Sequence, residues 1–192
     1  MTTTVTVPNV AGAETVTGPW VFNDLVVPTR TRRIFLPANI LVQSNGTAMA
    51  ITTLGTFPDS WSEWPMVTAP AAAPQALYCG LDVPQDYSSG GTFRVVYSQS
   101  TASAVQWRAR IRYASLADAG DPTLAASVVE ASITPVATIN RVQVATIGTV
   151  VATLTVGNWL RLNFDRDSAH ADDTNAGEIR IIALVLEYTG RY

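Results

Sequence analysis

The sequence predicts an all-β protein, an antiparallel two-sheet β-sandwich of jelly-roll type with an extended N-terminal arm. Three observations carry that expectation. Valine, threonine and isoleucine are frequent, glycine and proline recur at short intervals, and no long window repeats apolar residues at helical spacing. Several segments alternate strictly between apolar and polar residues, the mark of a strand with one buried face. About eight such segments lie between residues 76 and 192, the number found in a two-sheet jelly roll.

The clearest element is 105–113, where Val105, Trp107, Ala109, Ile111 and Tyr113 alternate with Gln106, Arg108, Arg110 and Arg112. A second alternating run sets Leu160, Leu162 and Phe164 against Arg161, Asn163 and Asp165. The last run, 178–188, is apolar on both faces. Ile179, Ile181, Ala183 and Val185 fall on one side, and Ile182, Leu184, Leu186 and Tyr188 on the other. A strand of this kind is covered on both faces, here by the N-terminal segment or by another subunit. Further strands are expected at 76–83, 92–99, 127–134, 141–147 and 150–156, with Gly90, Gly91 and Gly148 at chain reversals.

Upstream, 32–42 and 47–54 flank Ser44-Asn45-Gly46, a hairpin signal. The expected organisation is an arm over residues 1–30 and one sandwich over 31–192, with a possible internal boundary near 65–75, where an Ala/Pro stretch lies.

Composition narrows the function classes. Of the 192 residues 47% are hydrophobic and only 14% charged, against roughly 25% charged in an average globular domain. A surface short of charge implies that a partner covers part of it. All 12 basic residues are arginine, which suits interfaces, although a biased base composition of the genome gives the same result. The net charge of -3 makes nucleic acid an unlikely partner.

Cys79 is the single cysteine, so no intrachain disulfide or CxxC metal site can form, and a small buried strand residue is expected there. No basic start followed by an apolar run marks a signal peptide, and no segment approaches the roughly 18 apolar residues of a membrane span. A soluble protein made in a cytoplasm, able to leave in an assembled particle, is the corresponding expectation.

Two charged constellations and one aromatic pair are the candidate contact residues. Asp165, Asp167, Asp172 and Asp173 surround Arg166 on one loop. Such a cluster could hold calcium, but the segment fails the EF-hand template, with His170 at its sixth position and Ala176 at its twelfth. The alternatives are a solvated loop in which Arg166 pairs with neighbouring aspartates, or an acidic patch meeting arginines of an adjacent subunit.

Arg108, Arg110 and Arg112 stand about 6.6 Å apart on one strand face, a spacing suited to a solvated face, a subunit interface or the phosphates of one nucleic-acid strand. The tryptophans Trp20, Trp61, Trp64, Trp107 and Trp159 could include a sugar-stacking platform; Trp61 and Trp64, between Pro58 and Pro65, are the better candidates to touch a ligand or partner, while Trp107 is expected in the core. His170 is the only histidine, no G-x-S-x-G elbow or phosphate-binding glycine loop is present, and no acid pair stands out. No catalytic residue, metal or cofactor is therefore expected.

Five motifs in order carry a resemblance. They are Leu81-Asp82-Val83-Pro84-Gln85-Asp86-Tyr87, Gly90-Gly91, Val105-Gln106-Trp107, Arg166-Asp167 with Asp172-Asp173-Thr174, and Leu184-Val185-Leu186-Glu187-Tyr188. Together they resemble small jelly-roll structural proteins of tailed bacteriophages, components of head decoration, head fibres or tails. The match covers about residues 76–192. It implies a virion protein without catalytic residues, a homotrimer whose arm or base contacts the major capsid or tail proteins. A carbohydrate- or receptor-binding module is the alternative, with exposed tryptophans stacking on sugars.

Overall fold

The computed structural model describes residues 28–38, 42–43, 51–52, 66–69, 76–101, 106–117, 119, 127–136, 138–151 and 154–191. It is an antiparallel β-sandwich of jelly-roll type. The six-stranded sheet contains β1 (Thr29–Pro37), β3 (Ile51–Thr52), β4 (Met66–Ala69), β6 (Tyr87–Gln99), β9 (Gln143–Thr149) and β11 (Ile179–Arg191). The five-stranded sheet runs β2 (Val42–Gln43), β5 (Ala76–Asp82), β10 (Trp159–Arg166), β7 (Trp107–Leu116) and β8 (Ser127–Ile133).

Alternation explains the two central strands. Along β7, Trp107, Ala109, Ile111 and Tyr113 are buried between the sheets while the arginines point out, and β10 buries Leu160, Leu162 and Phe164 on the same side. The facing sheet contributes Phe93, Val95 and Tyr97 from β6 and Leu184 and Leu186 from β11. Tyr97 meets Trp107 edge-on at 5.0 Å between ring centroids, and Phe93 lies 5.2 Å from Tyr113, both within the range of favourable aromatic pairs.

The last strand does carry two apolar faces, but in a different phase from simple alternation. Its ladder with β6 shifts register between Ile181 and Ala183. Such a bulge moves later side chains to the opposite face. Ile179 and Ile181 therefore join Leu184, Leu186 and Tyr188 in the main core. Ile182, Ala183 and Val185 form a second buried cluster with Val96 on the other side. The expected cover on that side is the N-terminal segment or another subunit, and residues 1–27 of that segment lie outside the described residues.

Other expectations are corrected. Val42–Gln43 pairs with β5 in one sheet, and Ile51–Thr52 pairs with β4 in the other, so the described residues on either side of Asn45-Gly46 are not partners in a hairpin. Gly90 and Gly91 lie inside β6 rather than at a reversal. They take φ of 66° and 149°, where the ladder to β11 is irregular near Thr189. Gly148 is likewise inside β9, and a Cβ there would stand 2.8 Å from the Val129 Cβ. It is small because β8 passes close by. The strand expected at 150–156 does not form among its described residues.

Candidate functional site

The outer face of the five-stranded sheet carries the charged candidates, and alternation places them there together. On β10, Trp159, Arg161, Asn163 and Asp165 point away from the core. In register beside them stand Asp82, Gly80, Tyr78 and Ala76 of β5 and Leu116, Ala114, Arg112 and Arg110 of β7. Val128, Glu130 and Ser132 of β8 lie opposite Arg112, Arg110 and Arg108.

One end of this face is a closed charge network. The Arg108 guanidinium lies 2.8 Å from Glu130 and 3.2 Å from Asp172, and it donates to the Ser132 hydroxyl at 3.1 Å. Arg110 grips Asp165 through two nitrogens and reaches Asp167 at 3.3 Å. The Asp165 hydrogen bond foremost raises the pKa of Arg110 above its usual range. Asp172 is held below the usual carboxylate range, first by the Ser132 hydroxyl at 2.6 Å and then by the charges of His170 and Arg108. The acids that meet Arg108 and Arg110 thus belong to the same chain.

Arg166 and Asp173 form a second pair, each 1% exposed, with contacts of 2.6 Å and 2.7 Å. Arg166 also donates to the carbonyls of Gly177 and Asn175. The pairing of Arg166 with a neighbouring aspartate is one of the expected alternatives, but the pair is buried rather than on a solvated loop. It pins the loop between β10 and β11 and so delivers Asp167 and Asp172 to Arg110 and Arg108. Among the described residues no three His, Cys, Asp or Glu side chains converge as metal ligands. His170 accepts a hydrogen bond from the Asp172 amide at Nδ1, and Ser132 bonds to Asp172. A Ser-His-Asp relay needs the serine against the histidine.

The other end of the face is open, and its main feature is Trp159. A turn precedes it, with Gly157 at φ 79° and the Val83 amide bonded to the Asn158 carbonyl at 2.8 Å. Trp159 is 53% exposed, and its six-membered ring lies 3.5 Å from where a Cβ on Gly80 would stand. The indole therefore leans across β5 onto a strand position that has no side chain. Beside it the Arg161 guanidinium sits 6.0 Å from the centroid of the Tyr78 ring, a cation–π distance. Gly80 and Ala114 keep the floor low between these groups, Arg112 and the half-exposed Val128.

Asn163 lies on that floor. It is 4% exposed, and its Oδ1 has no hydrogen-bond partner. An unpaired buried acceptor costs free energy until a donor reaches it. Arg112, directly opposite, has no ion-pair or hydrogen-bond partner among the described residues.

The structure brings Arg108, Arg110, Asp165, Asp167 and Asp172 into one network and sets Asp173 apart beneath it. Arg112 stands at the boundary with the open end. Trp61 and Trp64 lie outside the described residues. Trp159, rather than the preferred Trp61 and Trp64, is the tryptophan on this face, and its outward phase in the 160–165 alternation is the sequence signal that exposes it.

No protein-family model and no curated protein matches this chain. Solved structures do. The isomalto-dextranase of Arthrobacter globiformis, complexed with panose, matches at 20% identity and TM-score 0.50, over 81% of this chain and 23% of the enzyme. The mosquito-larvicidal Cry4Aa toxin of Bacillus thuringiensis matches at 10% identity and TM-score 0.53, over 83% of this chain and 24% of the toxin. A carbohydrate-binding module of family 35 from Cellvibrio japonicus is similar over 83% of this chain and 99% of its own length, at 14% identity and TM-score 0.43. The chain spans about a quarter of the first two proteins, and at these identities what they share with it is the antiparallel β-sandwich fold.

Proposed function

We propose that this chain is a non-enzymatic binding module that takes a saccharide on the open end of the five-stranded sheet. The observation that carries the reading is Trp159, half exposed and laid over Gly80 beside Tyr78 and Arg161. An indole face in water is costly, and the C–H face of a pyranose covers it while sugar hydroxyls reach the polar groups at its edge. The sandwich shared with an enzyme crystallised with panose is consistent with this reading, and the argument rests on the face itself. The test is a glycan array followed by calorimetry. Trp159→Ala is expected to weaken saccharide binding at least tenfold with the fold intact, and an unchanged affinity sinks the proposal.

A second reading rests on the resemblance over residues 76–192: a virion structural protein, homotrimeric, attached to the capsid or tail of a tailed bacteriophage. One surface feature favours it. Between Glu130 and Arg161 the only charged residue is Arg141, and Val136, Ile139, Val142 and Val144 are exposed along the chain leading into β9. Among the described residues β9 pairs with β6 alone. An uncharged edge strand of this kind favours association. The two readings are compatible, since a particle component can also carry a receptor-binding face.

A further inference from the structure

We infer that the saccharide taken by this face is acidic, with its carboxylate received by Arg112. The inference rests on the saccharide reading above and adds the charge of the ligand. It follows from an inventory of the arginines on the face. Arg108 is matched by Glu130 and Asp172, and Arg110 by Asp165 and Asp167. Arg112, next in the same row, has Asn163 and Val128 as its register neighbours, and the nearest acids along the adjacent strands, Asp165 and Glu130, are already held by Arg110 and Arg108.

The position of Arg112 gives this charge a role. It flanks the low floor of Gly80 and Ala114 opposite the side occupied by Tyr78, with Arg161 diagonal to it across the β7–β10 ladder. An oligosaccharide with one pyranose stacked on Trp159 would extend along β10 past Arg161, and a later ring would reach the position of Asn163 and Arg112, about 13 Å away at roughly 3.3 Å per residue. A planar carboxylate on the ring would then meet the planar guanidinium of Arg112, a match that permits two parallel hydrogen bonds. Asp82, opposite Trp159 at the far rim, stands two residues beyond Gly80 and repels a carboxylate placed at that end. The ligand is thereby oriented with its acid toward Arg112.

The experiment uses the full chain and oligosaccharides of galacturonate, glucuronate and N-acetylneuraminate, each paired with its carboxyl-reduced neutral counterpart. Calorimetry is expected to give at least tenfold tighter binding for one acid over its reduced form, with the ratio falling toward one in Arg112→Gln. Arg33→Gln, on the other sheet, is the control for net charge and leaves the ratio unchanged. Arg112 is partly solvent-facing, so its variant is expected to fold, and thermal unfolding checks this. Equal binding of acid and reduced forms that still depends on Trp159 overturns this inference and leaves the saccharide reading standing. A ratio that drops equally in Arg33→Gln also overturns it, since net charge then explains the preference. Absence of binding to every acidic and neutral sugar overturns both.

Discussion

Replacing Asp173 by asparagine tests whether the Arg166 pair holds the loop that arranges the charged face. Both side chains are 1% exposed, and the carboxylate accepts from Arg166 at 2.6 Å and 2.7 Å and from the Asn175 amide at 3.3 Å. Asparagine keeps the shape and one acceptor oxygen but removes the charge, leaving the buried guanidinium, which also donates to the Gly177 and Asn175 carbonyls, without its counter-ion. Breaking one side of a buried ion pair costs about 3–5 kcal/mol, a large part of the roughly 5–15 kcal/mol that holds a domain folded. For a chain of this size that lowers the melting temperature by roughly 6–20 °C.

Urea unfolding and calorimetry measure the loss, and hydrogen exchange across 167–178 reports whether the loop loosens first. Removing both charges, Arg166→Met with Asp173→Leu, is expected to cost less than the two single changes added together, because no lone charge stays buried. A cost for Asp173→Asn below about 1 kcal/mol, or strict additivity in the double variant, would refute the argument.

Two further outcomes are expected. Glu187, bonded first to Arg33 at 2.8 Å and also facing Arg94, is held below the usual carboxylate range, as is Asp172. A depressed folded-state pKa contributes stability above the unfolded value, near pH 4, and loses it as pH falls through the folded value. The melting temperature should therefore drop in acid below about pH 4, and Glu187→Gln with Asp172→Asn should flatten that limb. Light scattering on the full-length chain should give the mass of three chains under the virion reading, and Val144→Arg on the edge strand should dissociate it. A monomer at every concentration counts against that reading.

Much of the sandwich was legible along the chain because alternation is a local property. Trp107 to Tyr113 and Leu160 to Phe164 sort into core and surface from their order alone, and Arg166 among aspartates announces a paired arginine. The remainder depended on which strands meet. Val42 and Ile51 lie on either side of an Asn-Gly turn signal yet belong to opposite sheets, since long-range partners in β5 and β4 outweigh the local preference. The bulge after Ile181 turns Ala183 and Val185 away from the face of Ile179 and Ile181 and brings Leu184 and Leu186 onto it, a shift set by the ladder to β6 rather than by any residue type. Gly148 is required by the approach of Val129, which lies 19 residues earlier in the chain.

The open end of the five-stranded sheet shows the same division. Trp159, Gly80 and Ala114 come from three strands separated by tens of residues, and each is unremarkable in its own segment. Alternation settles that Trp159 and Arg112 point outward. Antiparallel register alone decides that the indole lies over a glycine and that Arg112 faces Asn163 instead of an acid, because pairing across a sheet is fixed by contacts that no local stretch of chain contains.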